Sequence, residues 1–244
     1  VISSNALSCV QTFSTGGATV RVSRSVFFNN GDFAFAADGL VPVLSSNVFS
    51  GGRGVSITRD GQTVDFTGNT FRDVTEVPLR LSAGVDLQGL TDTVFAGTIT
   101  GSNEIIGGTV QGGAVWLSIV PYRMTNTVTV APGATLTLQP GSVIKPSRFV
   151  SLNVRGGLLA PGTPAAPIAF TSLADDSLGG DTNGDGAATT PQPGDWDVFL
   201  TDTPAAYATL SHVILRYGGR QGTPAALQIA GGAAATFSGG EVSN

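Results

Sequence analysis

The chain has 244 residues, only 12% of them charged, with a formal net charge of −5, and Lys145 is its one lysine. No basic stripe is present, which excludes nucleic-acid binding. No apolar run approaches the about 20 residues that a membrane-spanning helix needs, so we expect no membrane insertion. Abundant Gly, Ser, Thr and Val favour strands and turns over helices, and the low charge argues against disorder.

Residues 20–81 repeat at a step of 22 residues. A fixed step shared by several columns of similar residues predicts a solenoid, in which each repeat stacks on its neighbour. Five columns keep the step: Val22, Leu44 and Phe66; Ser25, Asn47 and Asn69; Phe27, Phe49 and Phe71; Phe33, Val55 and Val77; and Phe35, Ile57 and Leu79.

Within each repeat, short apolar alternations are separated by polar turns rich in Gly and Asn. Alternation at period two indicates strands with one face buried. Three short strands per repeat predict an all-β fold, a right-handed parallel β-helix of roughly nine or ten coils. We expect the column of Phe27 inside as core, and the column of Asn47 inside as a turn ladder whose amides bond from coil to coil.

A second pattern runs from Thr127 to Lys145 and reads T-V-T-V-A-P-G-A-T-L-T-L-Q-P-G-S-V-I-K. Its Pro-Gly pairs separate three short apolar strands, as expected for one coil with its corners. Further strands are predicted around residues 152–154, 157–160, 167–172, 198–200, 210–215 and 226–229.

Several motifs accompany this pattern between residues 100 and 230: Trp116, Tyr122, P-I-A-F-T-S, G-G-D-T-N-G-D-G, P-G-D-W and L-S-H-V-I-L-R-Y-G-G. In combination they resemble a recurrent module of large bacterial secreted proteins, a right-handed parallel β-helix of the pectin-lyase-like superfamily. The resemblance implies that residues 1–126 end one module and 127–244 begin the next. It also implies an extracellular or cell-surface location. Neither terminus has a capping element, so we expect the chain to be a fragment of a longer protein.

An acidic segment near residues 173–196 is far longer than a corner requires, and we expect it to protrude. It carries Asp175, Asp176, Asp181, Asp185, Asp195 and Asp197. The run from Asp181 through Asn183 and Asp185 to Gly186 matches D-x-[DN]-x-[DN]-G, the first half of a calcium loop. Alternate side-chain oxygens converge on one ion at this spacing, while glycine permits the sharp turn.

The rest of the predicted Ca²⁺ site departs from that pattern. The carbonyl of Ala187 takes the place of the backbone ligand, but Gln192 stands where a bidentate Glu is expected. We expect Asp175, Asp176 or Asp195 to supply the missing carboxylate by folding back. The alternative is a solvated Asp/Gly turn without an ion.

Catalytic motifs are scarce. Hydrolases of the resembled superfamily carry Gly-His-Gly and Arg-Ile-Lys motifs, and neither occurs in this chain. Arg216 as a lyase base and the pair Asp175 and Asp176 as hydrolytic carboxylates are weak candidates. His212 is expected to be exposed on a strand without a paired acid. We therefore lean against an enzyme; if there is one, it is a polysaccharide lyase or glycoside hydrolase.

The sequence favours a structural or adhesive β-helical rod segment of an extracellular or cell-surface protein, with a calcium-binding loop. Its expected partners are neighbouring β-helix modules of the same chain and glycans or other surface proteins. The alternative is a lyase, a hydrolase or a glycan-binding β-helix domain that acts on an acidic polysaccharide. Fold analogy does not separate these readings, because β-helices carry many functions.

Overall fold

A computed structural model describes residues 1–4, 8–13, 19–196, 199–201, 203–219 and 225–243. Among these residues the only helical element is a single 3-10 turn, Leu90–Asp92, and all other regular structure is strand. The strands form parallel sheets stacked as a β-solenoid of about nine turns. The predicted all-β parallel solenoid is therefore confirmed. Asp197 lies outside the described residues.

Two compact units divide the chain, Val1–Glu104 and Ile105–Asn244. The module limit expected at residues 126–127 was based on a sequence motif and stays a prediction.

The first unit contains three parallel sheets, and each turn contributes one strand to each sheet. Their strand orders are β1-β4-β7-β10-β13, β2-β5-β8-β11 and β3-β6-β9-β12, and β14 lies at the limit of the unit. The strands are β1 (Ile2–Ser3), β2 (Val10–Phe13), β3 (Thr19–Ser23), β4 (Val26–Phe28), β5 (Phe33–Asp38), β6 (Val41–Ser45), β7 (Val48–Ser50), β8 (Arg53–Ile57), β9 (Thr63–Asp65), β10 (Thr70–Arg72), β11 (Leu79–Leu81), β12 (Asp86–Gln88), β13 (Val94–Ala96) and β14 (Asn103–Ile105).

The second unit repeats this plan with sheets β15-β18-β21-β24-β27, β16-β19-β22-β25-β28 and β17-β20-β23-β26-β29. The strands are β15 (Gly108–Val110), β16 (Gly113–Trp116), β17 (Tyr122–Met124), β18 (Val128–Val130), β19 (Thr135–Leu138), β20 (Val143–Pro146), β21 (Leu152–Val154), β22 (Gly157–Pro161), β23 (Ile168–Phe170), β24 (Phe199–Thr201), β25 (Tyr207–Ser211), β26 (Val213–Arg216), β27 (Leu227–Ile229), β28 (Ala234–Ser238) and β29 (Glu241–Ser243).

The turn read from the Pro-Gly pattern is confirmed strand by strand. Its three predicted strands are β18, β19 and β20. Gly133 and Gly141, which follow the two prolines, have φ of 80° and 86° and turn the chain at the corners. Lys145 is thereby placed near the end of β20.

The predicted phenylalanine column is confirmed as core. Phe27, Phe49 and Phe71 are fully buried. Their ring centroids lie 5.2 and 5.1 Å apart, close to the distance between paired strands. The stack continues to Phe95 at 5.0 Å, which the 22-residue step does not reach because Phe95 follows Phe71 by 24 positions.

The asparagine column is confirmed as an internal ladder. Asn47 and Asn69 are fully buried. The Oδ1 atom of Asn69 accepts from the backbone N of Asn47 at 2.9 Å, and Oδ1 of Asn47 accepts from the N of Ser25 at 3.1 Å. The side-chain amide of each Asn donates to the carbonyl of Val22 or Leu44, respectively. These bonds satisfy backbone groups that a turn would otherwise bury unpaired.

Two of the five predicted columns are wrong in register. Phe35, not Phe33, pairs with Val55, and Val55 pairs with Leu79 rather than Val77. In the same way Ile57 pairs with Ala37 and Leu81 instead of Phe35 and Leu79.

The cause is a shorter corner between β7 and β8. Val55 follows Phe49 by six positions, whereas Phe35 follows Phe27 by eight. Gly51 and Gly52, with φ of 71° and 60°, make this tighter turn possible. A shift of two residues preserves which side chains face inward, so the alternation of the sequence does not reveal it.

We expect Phe49→Ala to lower the free energy of unfolding by roughly 3–5 kcal/mol, because it removes a ring packed between two others. Urea unfolding measures the change. Phe28→Ala is the matched control, since Phe28 lies on the neighbouring strand β4 with 46% of its surface exposed. Equal losses in the two variants would contradict the assignment of Phe49 to the core.

Candidate functional site

The acidic segment connects β23 to β24 and contains no strand between residues 171 and 196. Its first part, residues 175–180, lies against the outer face of the sheet that contains β20, whereas residues 186–190 are exposed. At Gly179, a Cβ atom would lie 3.2 Å from Cγ1 of Val143 and 2.7 Å from Cγ of Pro121. Glycine is therefore required where the loop meets the sheet. We call residues 173–196 the acidic loop.

Lys145 lies beneath the acidic loop and is fully buried. Its Nζ atom donates to the carbonyl oxygens of Asp175 at 2.9 Å and Gly180 at 2.6 Å. Burial lowers the pKa of the Lys145 ammonium group, and the carboxylates of Asp175, Asp176 and Asp181 offset part of that effect. No motif in the sequence points to Lys145, although it is the only lysine of a chain that also carries an acidic segment.

Asp175 is buried with 3% of its surface exposed. Its carboxylate accepts hydrogen bonds from the hydroxyls of Thr171 and Ser177 and from the backbone N of Ser177. Burial opposes ionisation of Asp175, but these hydrogen bonds and Lys145 outweigh it and lower the pKa of the carboxyl group. Asp175 therefore holds the start of the acidic loop.

Three other carboxylates come together within the loop. One oxygen each of Asp176, Asp181 and Asp185 lies within 4.8 Å of the other two. The Oδ1 atoms of Asp176 and Asp185 are buried and have no hydrogen-bond partner among the described residues, and the same holds for Oγ1 of Thr182. We call Asp176, Asp181 and Asp185 the carboxylate cluster.

The predicted calcium-loop motif shapes this cluster. The carboxylate of Asp181 accepts from the backbone N of Gly184 at 2.7 Å and of Gly186 at 2.8 Å. The bonds from Gly186 and Gly184 lower the pKa of Asp181, so that it stays ionised. Asn183 donates to Oδ2 of Asp185 at 3.0 Å, and Ala187 is exposed on the same turn.

Asp195 closes the base of the loop. Its Oδ2 atom accepts from Oγ of Ser172 at 2.6 Å and from the backbone N of Gln192 at 2.8 Å. Trp196 follows, buried, and its Nε1 atom donates to the carbonyl of Arg216 at 2.7 Å. The structure thus brings Asp176 to Asp181 and Asp185, and gives Asp175 and Asp195 other hydrogen-bond partners.

The weak catalytic candidates are spread over different environments. Arg216 forms an ion pair with Glu241 at 3.2 Å, Asp175 holds the loop start, and Asp176 belongs to the carboxylate cluster. The expectation that His212 lies on a strand is wrong: it occupies the turn between β25 and β26 with φ of 47°. Its Nδ1 atom lies 3.0 Å from Oγ of Ser211.

A second feature lies in the first unit, on the outer face of strands β2, β5, β8 and β11. A cleft of about 210 Å³ opens there, where Ala36 and Ser56 provide small side chains between larger ones. Its lining residues are Ser8, Gln11, Thr12, Phe13, Asp32, Phe33, Ala36, Ala37, Asp38, Ser56, Thr58 and Arg80.

Two arginines make cation–π contacts with the ring of Phe33 at this cleft. The guanidinium carbons of Arg53 and Arg80 lie 5.6 and 5.9 Å from the ring centroid. Arg53 pairs with Asp32 at 3.3 Å and Glu76 at 2.7 Å. No sequence motif indicates the cleft, because it depends on how the two arginines pack against the buried ring of Phe33.

No family model, curated protein or solved structure matches this chain. The resemblance to the pectin-lyase-like superfamily and the bacterial origin therefore stay predictions. In the part of the chain that the structure describes, no helix is long and apolar enough to cross a membrane.

We expect Asp175→Asn to lower the stability of the protein at neutral pH by about 1–3 kcal/mol, because buried hydrogen bonds to a charged acceptor are weakened. A carboxyl group whose pKa is lowered by folding stabilises the native state above its unfolded pKa, and this is lost as the pH falls through the folded pKa. The difference in melting temperature between the two proteins should therefore shrink from about pH 7 to pH 3. A difference that stays constant over this range would contradict the ionised state of Asp175.

Proposed function

We propose that this chain is a structural or adhesive β-helical segment of an extracellular or cell-surface protein, and that its acidic loop binds Ca²⁺. The observation that carries the proposal is the carboxylate cluster, in which two buried carboxylate oxygens have no hydrogen-bond partner among the described residues. A buried acceptor without a partner costs free energy, more so when it is charged. A bound cation removes that cost.

The chemistry of the cluster favours calcium over other ions. All available ligands are oxygens, from Asp176, Asp181, Asp185 and the Thr182 hydroxyl. Hard cations take oxygen ligands, and Ca²⁺ tolerates irregular geometry better than Mg²⁺ does. The loop backbone is rich in glycine at positive φ, with Gly184 and Gly186 at 74° and 72°, so it can adjust around the ion.

The structural role is supported by the low proportion of charged residues in the chain. Charged residues make up 12% of the chain, and the core columns run from turn to turn. Each turn buries its apolar face only against its neighbours, as in solenoids that serve as supports or extended surfaces. Binding of calcium by the native state alone then stabilises the segment by mass action.

Calcium should raise the melting temperature of the chelator-treated protein. A ligand at about 100 times its dissociation constant stabilises the native state by about 2.7 kcal/mol. The double variant Asp181→Asn/Asp185→Asn should lose this shift, and calorimetric titration should show at least about tenfold weaker binding.

Asp92→Asn is the control, because it removes an acidic charge from the first unit without touching the loop. A melting temperature indifferent to both chelator and millimolar calcium would overturn the calcium proposal.

A second candidate function is glycan binding at the cleft of the first unit. Its lining combines hydroxyl, amide, carboxylate and guanidinium groups with the aromatic side chains of Phe13 and Phe33, a mixture suited to a polyhydroxylated ligand. The side chain of Arg80 is 42% exposed although it pairs with Glu104 at 3.1 Å. Part of this side chain is therefore accessible to the carboxylate of an acidic sugar, although its Nε atom is buried.

We expect oligogalacturonate to bind without being cleaved, because Asp32, one of the two carboxylates that line the cleft, is held by Arg53 and Ser8. Arg80→Ala should abolish binding measured by calorimetry, and Arg72→Ala, which removes an exposed arginine on β10 of the same unit, should not. Release of unsaturated product or reducing ends would instead favour the lyase or hydrolase alternative. Equal binding by both variants would exclude Arg80 as a ligand contact.

A further inference from the structure

The single lysine of the chain makes both of its hydrogen bonds to the main chain of the acidic loop. The two accepting carbonyls belong to Asp175 and Gly180. Each of these residues directly precedes a member of the carboxylate cluster, Asp176 and Asp181, respectively. One ammonium group therefore joins the two loop segments that carry two of the three carboxylates.

We propose that Lys145 is a positioning residue that closes the acidic loop without a metal ion and so assembles the carboxylate cluster before calcium arrives. The calcium part of this inference rests on the proposed function, whereas closure of the loop by Lys145 does not. The consequence is that the ion binds a preformed site.

The strand that carries Lys145 is held by backbone hydrogen bonds, whereas the loop that it contacts is not part of a sheet. Lys145 lies on β20, which pairs in parallel with β17 and β23, so its backbone is held by hydrogen bonds on both sides. Residues 176–186 have no strand partner. A side chain fixed on the sheet can therefore order the loop, while the reverse is not required.

The positive charge of Lys145 suits its position beneath the acidic loop. A buried ammonium group needs hydrogen-bond acceptors and nearby negative charge, and Lys145 has both in the loop. Three carboxylates gathered without a counter-ion repel one another. The ammonium group offsets this repulsion while donating only to main-chain carbonyls, so it does not occupy the buried Oδ1 atoms of Asp176 and Asp185.

The base of the loop has separate anchors. The backbone N atoms of Gly194 and Asp195 both donate to the carbonyl of Tyr217 at 3.0 Å. The Nε1 atom of Trp196 donates to the main-chain carbonyl of Arg216. Loss of Lys145 should therefore release residues 178–186 and leave in place both residues 192–196 and the turn at Asp175, which Thr171 and Ser177 hold. This difference gives the test an internal reference.

The first experiment uses the unaltered protein. Because Lys145 is the only lysine, an amine-reactive ester followed by peptide mapping reports on one side-chain amine. In chelator, its labelling in the folded protein should be at least about 100-fold slower than in the urea-unfolded chain, since access requires local opening. Fast labelling in chelator that calcium suppresses would overturn the proposal, because the metal would then close the loop.

The second experiment compares Lys145→Met with Arg216→Met by hydrogen exchange in chelator. Arg216 is the matched control, since it lies on the same sheet but its side chain binds Glu241. Lys145→Met should accelerate exchange of residues 178–186 at least about tenfold and leave 192–196 unchanged. Arg216→Met should change neither segment, and equal behaviour of the two variants would overturn the proposal.

Calcium titration then separates the two proposals. If both hold, Lys145→Met binds Ca²⁺ at least about tenfold more weakly than the unaltered protein does. If no calcium binds to either protein but the labelling and exchange results stand, the calcium proposal alone fails. If calcium binds equally to both proteins, the cluster is not assembled by Lys145.

Discussion

The distance between paired parallel strands constrains every other feature of this solenoid. Strands pair at about 4.8 Å, and the rings from Phe27 to Phe95 follow at 5.0 to 5.2 Å. Each side chain must therefore tolerate the residue at the same position of the next turn. Inside, identical groups satisfy this by stacking phenylalanine on phenylalanine and bonding asparagine to asparagine. Outside, the first unit alternates signs, with Arg53 between Asp32 and Glu76.

The acidic loop gathers three like charges, which stacked positions on neighbouring strands do not tolerate. Like charges on neighbouring strands repel at close range, so a group of three carboxylates is placed off the strands. Lys145 on β20 binds the loop through main-chain carbonyls rather than through the carboxylates of the cluster. The loop thus keeps its acidic side chains available while its backbone is bound to the sheet.

Periodicity in the sequence predicted the fold class, the Phe27 column and the Asn47 column, because these depend on the residues of single strands and on a constant step. It did not predict the pairing of Phe35 with Val55, because the length of a corner is set by local turn geometry at Gly51 and Gly52. The motif at Asp181 indicated where carboxylates meet. The choice of Asp176 over Asp175 depends on the hydrogen bonds of Thr171 and Ser177, which no spacing rule contains.

The acidic loop also has a consequence for the order in which the second unit folds. Partners on neighbouring turns are usually close in sequence, as in the pairing of Val128 with Leu152. Across the loop the separation about doubles, since Leu152 pairs with Phe199 and Leu158 with Ala208. Doubling a closed segment adds about 0.6 kcal/mol of chain entropy and slows the formation of such contacts. Closing the turn at β24 therefore costs more chain entropy than closing the turn before it, and the contact of the loop with Lys145 divides this long segment into two shorter ones.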